Sequence, residues 1–279
     1  MIDNKDLIFL KEKAKELRRT VIDIIHEAGS GHPGGSLSAV EILTYLYYKK
    51  MNVLPQDPKW EDRDRFILSK GHACPILYVI LADKGFFPRE ELKSFRQFHS
   101  ILQGHPDKNK VPGVEISSGS LGMGISYGIG NCLGARLDNK DFISYVLTGC
   151  GEMNEGQNWE AFMCAPKYKL DNIRVIVDYN KVQLDGNNDE VMPLGDLAAK
   201  IRSFGWNVLE CDGHDFASID QCFNEADEVK GVPTAIIAHT VKGKGVSFME
   251  GKSEWHGKTI GDKEYAAAMK ELGGEVNVE

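Results

Sequence analysis

The 279-residue sequence has no long apolar run. The longest uninterrupted one, Ile76 to Ala82, is far shorter than the roughly 20 residues that a membrane-crossing helix needs. It has no basic excess either: lysine and arginine total 33 against 41 aspartates and glutamates, a net charge of −8. That balance disfavours a nucleic-acid backbone or an anionic membrane surface as the main partner. There is no CxxC and no dense cysteine framework. The six cysteines, at positions 74, 132, 150, 164, 211 and 222, suit free thiols in a reducing cytosol. The opening Met1-Ile2-Asp3-Asn4-Lys5-Asp6 lacks the basic-then-apolar shape of a secretory leader. These absences lead us to expect a cytoplasmic protein with no membrane and no nucleic acid among its partners. Short catalytic signatures are missing too. There is no HExxH for zinc, no GxxxxGK phosphate loop and no GxSxG elbow, and Gly122-Met123-Gly124 runs on to Tyr127-Gly128 and so misses GxGxxG.

What the sequence does have is 29 glycines, placed singly or in pairs at the ends of apolar segments where the chain must turn. Lys5 to Glu27 carries Leu7, Leu10, Ala14, Leu17, Val21, Ile24 and Ile25 at helical spacing. A second helix is expected from a cap at Ser36 or Ser38. Beyond Arg65 short apolar runs alternate with longer periodic ones. Strands are expected at Phe66–Leu68, 142–147, 173–177, 206–210 and 234–238, and helices at 75–82, 154–168, 194–204 and 216–229. A glycine-rich turn at Gly119 opens a further helix reaching Arg136. This rhythm predicts an α/β fold, a doubly wound and mostly parallel sheet with helices on both faces. Residues 1–272 form one domain in this reading and residues 273–279 a C-terminal tail. Two long stretches break the rhythm, Phe98 to Gly119 and Lys242 to Gly261, and both are candidate active-site loops.

In such a sheet ligands bind beyond the carboxyl ends of the strands. One strand runs there into Thr148-Gly149-Cys150-Gly151-Glu152, and the next into Asp178-Tyr179-Asn180-Lys181-Val182. Glycines 149 and 151 allow close backbone approach to an anion, although a plain tight turn accounts for them equally well. Five of the eight histidines adjoin glycine: His32, His72, His105, His214 and His256. A histidine on a glycine loop is presented outward. His26 in a helix and His239 in a strand are expected to be structural.

Taken together, the motifs resemble the transketolase family. They run in order from Ser30-Gly31-His32-Pro33-Gly34-Gly35 through Ser69-Lys70-Gly71-His72-Ala73, Gly104-His105-Pro106 and Gly119-Ser120-Leu121-Gly122. They continue with Gly151-Glu152, Glu155-Gly156, Trp159-Glu160-Ala161, Leu170-Asp171-Asn172 and Asp178-Tyr179-Asn180. The last are Asp212-Gly213-His214-Asp215, Thr240-Val241-Lys242-Gly243-Lys244-Gly245 and His256-Gly257. The resemblance covers about residues 8 to 270 and stops where that family's diphosphate-binding domain ends. It is therefore similar to the N-terminal subunit of a split transketolase.

The resemblance implies a thiamine diphosphate-binding fold and transfer of a two-carbon ketol unit from a ketose phosphate to an aldose phosphate, as in the pentose phosphate pathway. It implies thiamine diphosphate as cofactor, with Mg²⁺ or Ca²⁺ held at Cys150, Asn180 and the Val182 carbonyl. Gly119, Ser120, Leu121, Gly151, Glu152, Asn180, His72 and His256 would lie against the cofactor. His32 and His105 would face the sugar, with His256 sharing the catalytic work. Proton transfer there suits groups titrating near neutrality. The partners implied are a C-terminal transketolase subunit carrying pyrimidine-binding and C-terminal domains, a second copy of this chain meeting it near Glu155 and Glu160, and sugar phosphates. The assembly would be a heterotetramer. His214 is left structural.

Two residues depart from the family pattern: Met123, where Gln is common, and Cys150, where a metal-binding Asp belongs. A neutral thiol is a poor ligand for a hard cation. Deoxyxylulose-phosphate synthase is a rival within the cofactor fold, but the Ser30-to-Gly35 and Trp159-Glu160-Ala161 motifs favour transketolase. A specialised split transketolase for unusual sugars or sulfosugars, and a non-catalytic degenerate subunit, remain open alternatives.

Overall fold

Five short strands build one sheet in a computed structural model that describes residues 2–274. They are β1 (Arg65–Leu68), β2 (Ser144–Gly149), β3 (Ile173–Tyr179), β4 (Asn207–Asp212) and β5 (Thr234–His239). Their order is β1-β2-β3-β5-β4 and every pairing is parallel. Parallel neighbours cannot be joined by a tight hairpin and need a crossover, which explains the helices between successive strands. The helices are α1 (Asn4–Glu27), α2 (Pro33–Leu37), α3 (Val40–Tyr45), α4 (Cys74–Lys84), α5 (Gly124–Leu137), α6 (Gly156–Lys167), α7 (Asn188–Val191), α8 (Leu197–Ser203), α9 (Phe216–Glu228) and α10 (Asp262–Glu271). The predicted α/β sheet with helices on both faces is the architecture observed.

Alternation along the strands divides the core in two. Phe66, Leu68, Tyr145, Leu147 and Ile176 pack with α1, α3, α4 and α9. Ile67, Val146, Val175 and Val177 pack with α5, α6 and α8. Helix α4 is buried at every position from Cys74 to Ala82, as its unbroken apolar sequence requires.

The differences from the predicted elements are concentrated near the strand ends. Strands β2, β3 and β5 extend past their apolar runs to Gly149, Tyr179 and His239, so the ladder carries polar residues into the space above the sheet. The expected helix capped by Ser36 or Ser38 is two helices instead, and a π turn at Leu46–Lys50 follows them. Pro33, pre-set for a first helical turn, starts α2 early, and Ser38 turns its hydroxyl to Gly35 O and Asp178. The helix expected from Asn154 begins as a 3-10 turn at Gly151–Asn154. Helix α10 was not foreseen. It is held on α1 through Tyr265 to Asp23 at 2.8 Å and His26 to Asp262 at 3.0 Å. Residues 275–279 of the predicted tail lie outside the described residues.

A buried ion pair joins α1 and α3 to the long loop after β5. Arg18 meets Glu41 at 2.6 Å, and its Nε donates to Lys244 O at 3.0 Å. His214 Nδ1 lies 2.9 Å from Glu41, while its Nε2 accepts the Val241 N–H at 2.8 Å. Burial alone pushes the Glu41 carboxyl up, but Arg18 and His214 outweigh it and hold the group at about 2. His214 is therefore structural, and it fixes the backbone on one side of Lys242 while Arg18 fixes the other. Removing one partner of a buried pair strands the other charge. Glu41→Ala is expected to lose roughly 3–5 kcal/mol of unfolding free energy in urea titration, and the Arg18→Met/Glu41→Leu pair to recover most of it. A loss below about 1 kcal/mol for Glu41→Ala, the size of an exposed pair, would contradict this role.

Candidate active site

Four strands deliver polar residues to one rim of the sheet. Lys70 and His72 follow β1, Cys150 and Glu152 follow β2, Asn180 and Val182 follow β3, and Thr240 and Lys242 follow β5. At the centre stands Asp178, on β3 and fully buried. Its carboxylate accepts from Lys70, Ser38 and Thr240, and from Asn180 Nδ2 at 3.1 Å. Burial pushes its pKa up, yet Lys70 and the surrounding donors outweigh this and leave it below the usual value. Lys70 also donates to Gly35 O at 2.7 Å, so one ion pair fixes the ends of β1 and β3 and the turn of α2.

Glu152, equally secluded, does a similar job next door. It accepts from the Ser69 hydroxyl, from Gly122 N–H at 2.8 Å and from Gly149 N–H at 3.0 Å. Burial raises its pKa. Its carboxylate is thus turned into the loops that carry Gly119–Leu121 and Gly149–Gly151, and it shapes the cradle expected for a cofactor from behind. The cradle depends on glycine at two points. A Cβ on Gly71 would stand 2.9 Å from Gly119 N, and one on Gly119 would press the His105 ring at 3.3 Å.

The structure brings together four of the five glycine-flanked histidines. Ring centroids lie 5.3 Å apart for His32 and His72, 5.4 Å for His32 and His256, 4.7 Å for His72 and His256, and 6.1 Å for His32 and His105. These residues come from four different loops. The fifth, His214, is the structural residue described above, as His26 and His239 are on α1 and β5 with Asp262 and Glu210 as partners.

Two lysines and an arginine complete the cluster. Lys242 is buried, with Nζ 3.2 Å from Val182 O, 3.2 Å from Gln183 O and 3.1 Å from His256 Nδ1. Among the described residues it has no carboxylate partner. Burial lowers its pKa to about 8, so it still carries a charge at neutral pH. Arg96 donates to Ser30 Oγ at 3.0 Å and makes a long 3.5 Å contact with His32 Nδ1. Its buried Nε has no hydrogen-bond partner among the described residues. The sequence reading assigned no role to Lys70, Lys242, Arg96 or Asp178. The signal for the lysines was available, because both sit in the same glycine-flanked settings that singled out the histidines.

Desolvation and these cations hold the imidazoles neutral. Burial first, then Arg96, lowers His32 to about 4 and lowers His105; burial, then Lys242, takes His256 to about 3. Burial first, then the Lys70 charge, takes His72 well below its ordinary value. The expectation of groups titrating near neutrality is therefore corrected: these rings are neutral donor–acceptor pairs at pH 7.

The three residues expected to hold a metal are also brought together. Cys150 Sγ is 3.7 Å from Asn180 Oδ1, which accepts the Val182 N–H at 3.1 Å. Burial and Asp178 raise the Cys150 thiol. A neutral thiol, an amide and a carbonyl already bonded to an ammonium do not make a donor set for a hard dication. No group of three or more His, Cys, Asp or Glu arranged to hold a metal occurs among the described residues.

Comparison with known proteins shows the family. The family model described as transketolase, thiamine diphosphate binding domain, matches residues 10–278. An apulose-4-phosphate transketolase subunit from Phocaeicola vulgatus is 42% identical, the match covering 94% of this chain and 93% of that protein. A 6-deoxy-6-sulfo-D-fructose transketolase subunit from Clostridium sp. is 40% identical, over 95% of this chain and 96% of that one. Among solved structures, the transketolase of Campylobacter jejuni superposes with a TM-score of 0.92 at 33% identity. That match covers 97% of this chain but only 43% of the Campylobacter chain.

The depressed histidines make a pH prediction. Groups neutral in the fold but with an ordinary value of 6.5 when unfolded give stability that is complete above that value. It is lost as the pH falls toward the folded-state values, because the unfolded chain binds protons first. The melting temperature should drop between pH 7 and pH 5, above the range where Glu41 and Asp178 titrate. The drop should be shallower in a His32→Gln/His256→Gln variant; identical slopes would contradict the assignment.

Proposed function

The chain belongs to the transketolase family, as its thiamine diphosphate-binding domain, and we propose that it is the cofactor-holding subunit of a two-subunit transketolase. In this reading it serves transfer of a two-carbon ketol unit from a ketose phosphate to an aldose phosphate. The observation that carries the reading is the convergence, at the strand ends, of four neutral imidazoles around a buried ammonium with no carboxylate partner among the described residues.

The residues fit thiamine diphosphate. Lys242, His72 and His256 supply charge and hydrogen bonds for a diphosphate, and the bare backbone of Gly119, Ser120, Leu121 and Gly151, with Asn180, lines the approach. When bound, that cofactor supplies a nucleophilic carbon for ketol transfer. His32 and His105, with His256 beside them, face the sugar and move protons between its hydroxyl oxygens. Arg96 has only donors to offer, so its contact at Nδ1 favours the His32 tautomer with the proton on Nε2. Mg²⁺ or Ca²⁺ finds no suitable donors at Cys150, Asn180 and Val182, and no step here runs through a metal.

The assembly we propose pairs two copies of this chain with two copies of a second protein that carries the pyrimidine-binding and C-terminal domains. Its support is the relatives named as transketolase subunits, which this chain matches over 93% and 96% of their own length. Glu155 and Glu160 are exposed beside Met123, Tyr127 and Met163, a surface suited to contact between copies. We place the protein in the cytoplasm, in the pentose phosphate pathway or a related exchange of sugar phosphates. Relatives named for apulose-4-phosphate and a sulfofructose favour a second reading, in which the donor is an unusual sugar.

The purified chain should give no ketol transfer alone, and turnover should appear when its partner subunit is added. Xylulose 5-phosphate, apulose 4-phosphate and 6-deoxy-6-sulfofructose offered as donors would separate the two readings. Robust turnover by the single chain would contradict its assignment as one half of the enzyme. His32→Ala and His105→Ala should each lower kcat about 10²–10⁴-fold with thiamine diphosphate affinity nearly intact, whereas His72→Ala should weaken that affinity directly. Equal affinity losses in all three variants would count against this division.

A further inference from the structure

The position at which the family resemblance places a divalent cation is closed within the chain itself. Each of its three donors is engaged. The Cys150 thiol reaches Asn180 Oδ1 at 3.7 Å, Asn180 Oδ1 also accepts the Val182 N–H at 3.1 Å, and Val182 O accepts from Lys242 Nζ at 3.2 Å. Asn180 cannot easily turn away, because its Nδ2 donates to Asp178 at 3.1 Å and to Ser38 Oγ at 3.4 Å. The carboxylate close by, Asp178, is consumed by Lys70, Ser38 and Thr240.

Lys242 is poised differently from Lys70. It is anchored at both sides, by His214 on the Val241 N–H at 2.8 Å and by Arg18 on Lys244 O at 3.0 Å. Its three contacts are two carbonyls and an imidazole nitrogen, so its charge is solvated by the protein but not cancelled. A buried cation in this condition is costly unless an anion joins it.

We infer that this chain holds the cofactor's diphosphate through the Lys242 ammonium in place of a divalent metal ion. The inference rests on the thiamine diphosphate reading above and deepens it. Cys150 is the complementary change: a carboxylate beside Asn180 would pair with Lys242 and cancel the charge, whereas a thiol leaves it for the ligand. A single ammonium also supplies hydrogen bonds with direction, which a bare ion does not.

The test is calorimetric titration of thiamine diphosphate into the complex of this chain with its partner subunit, in EDTA and in millimolar Mg²⁺. The two dissociation constants should agree within about threefold. Lys242→Met should weaken binding roughly 10- to 100-fold in both buffers, with a melting temperature in the absence of cofactor no lower than that of the wild type confirming the fold. Cys150→Asp should make binding respond to Mg²⁺ by about tenfold or more. Tightening of the wild-type protein by more than about tenfold on adding Mg²⁺ overturns the metal-free inference while leaving the cofactor site standing. Absence of binding in every buffer overturns both.

Discussion

A carboxylate with no solvent exposure, set at the end of the central strand, is tolerable only when a cation and several donors surround it. Asp178 meets that condition with Lys70, Ser38, Thr240 and Asn180, and the geometry of the rim follows. Lys70 brings the end of β1 to Gly35 O. Ser38 pins the segment after α2, Thr240 the start of the loop after β5, and Asn180 the turn after β3. Four chain segments far apart in sequence are thereby held at one point, and the loops bearing His32, His72 and Lys242 issue from it.

The same pair decides the electrostatics. With Asp178 satisfied by Lys70, negative charge at the rim is spent, and Glu152 is turned into the Ser69, Gly122 and Gly149 loops. Among the described residues, Lys242 and Arg96 then stand without carboxylates to offset them, and burial together with these cations keeps the four imidazoles neutral. The result is a pocket that favours an anion and presents neutral rings to hydroxyl groups. A cleft of about 600 Å³ at the other ends of the strands is lined by Arg136, Lys140, Arg174 and Lys230 but also by Asp141, Asp171 and Asp227, and there Lys140 pairs with Asp62 and Arg174 with Asp227.

Much of the fold was legible because the strands are apolar and their crossovers periodic. Helix α1 and strand β1 each begin one residue earlier than the periodicity indicated. What escaped were features settled by contacts distant in sequence. Ser38 looks like a helix cap, but the Asp178 carboxylate, 140 residues away, claims its hydroxyl. The strand ends at Asp178 and His239 look like loop because they are polar, yet the ladder continues through them. The histidines were legible through their glycine neighbours. Lys242 carries the same glycine signal, but its meaning lies in the lack of a carboxylate partner among the described residues, and a sequence does not display that. His214 shared the same local pattern as the others and was set apart from them by the family resemblance, not by its neighbours.

The central claim is that the rim above β1, β2, β3 and β5 is a thiamine diphosphate site, and hydrogen–deuterium exchange with and without that cofactor tests it most directly. Exchange reports protection segment by segment and needs no turnover. The account predicts slower exchange in residues 117–122, 149–152, 180–183 and 241–257 when thiamine diphosphate is added to the chain with its partner subunit, and no change around Arg136, Arg174 and Lys230. Protection confined to that opposite cleft, or no protection of the four rim segments at saturating cofactor, would contradict it.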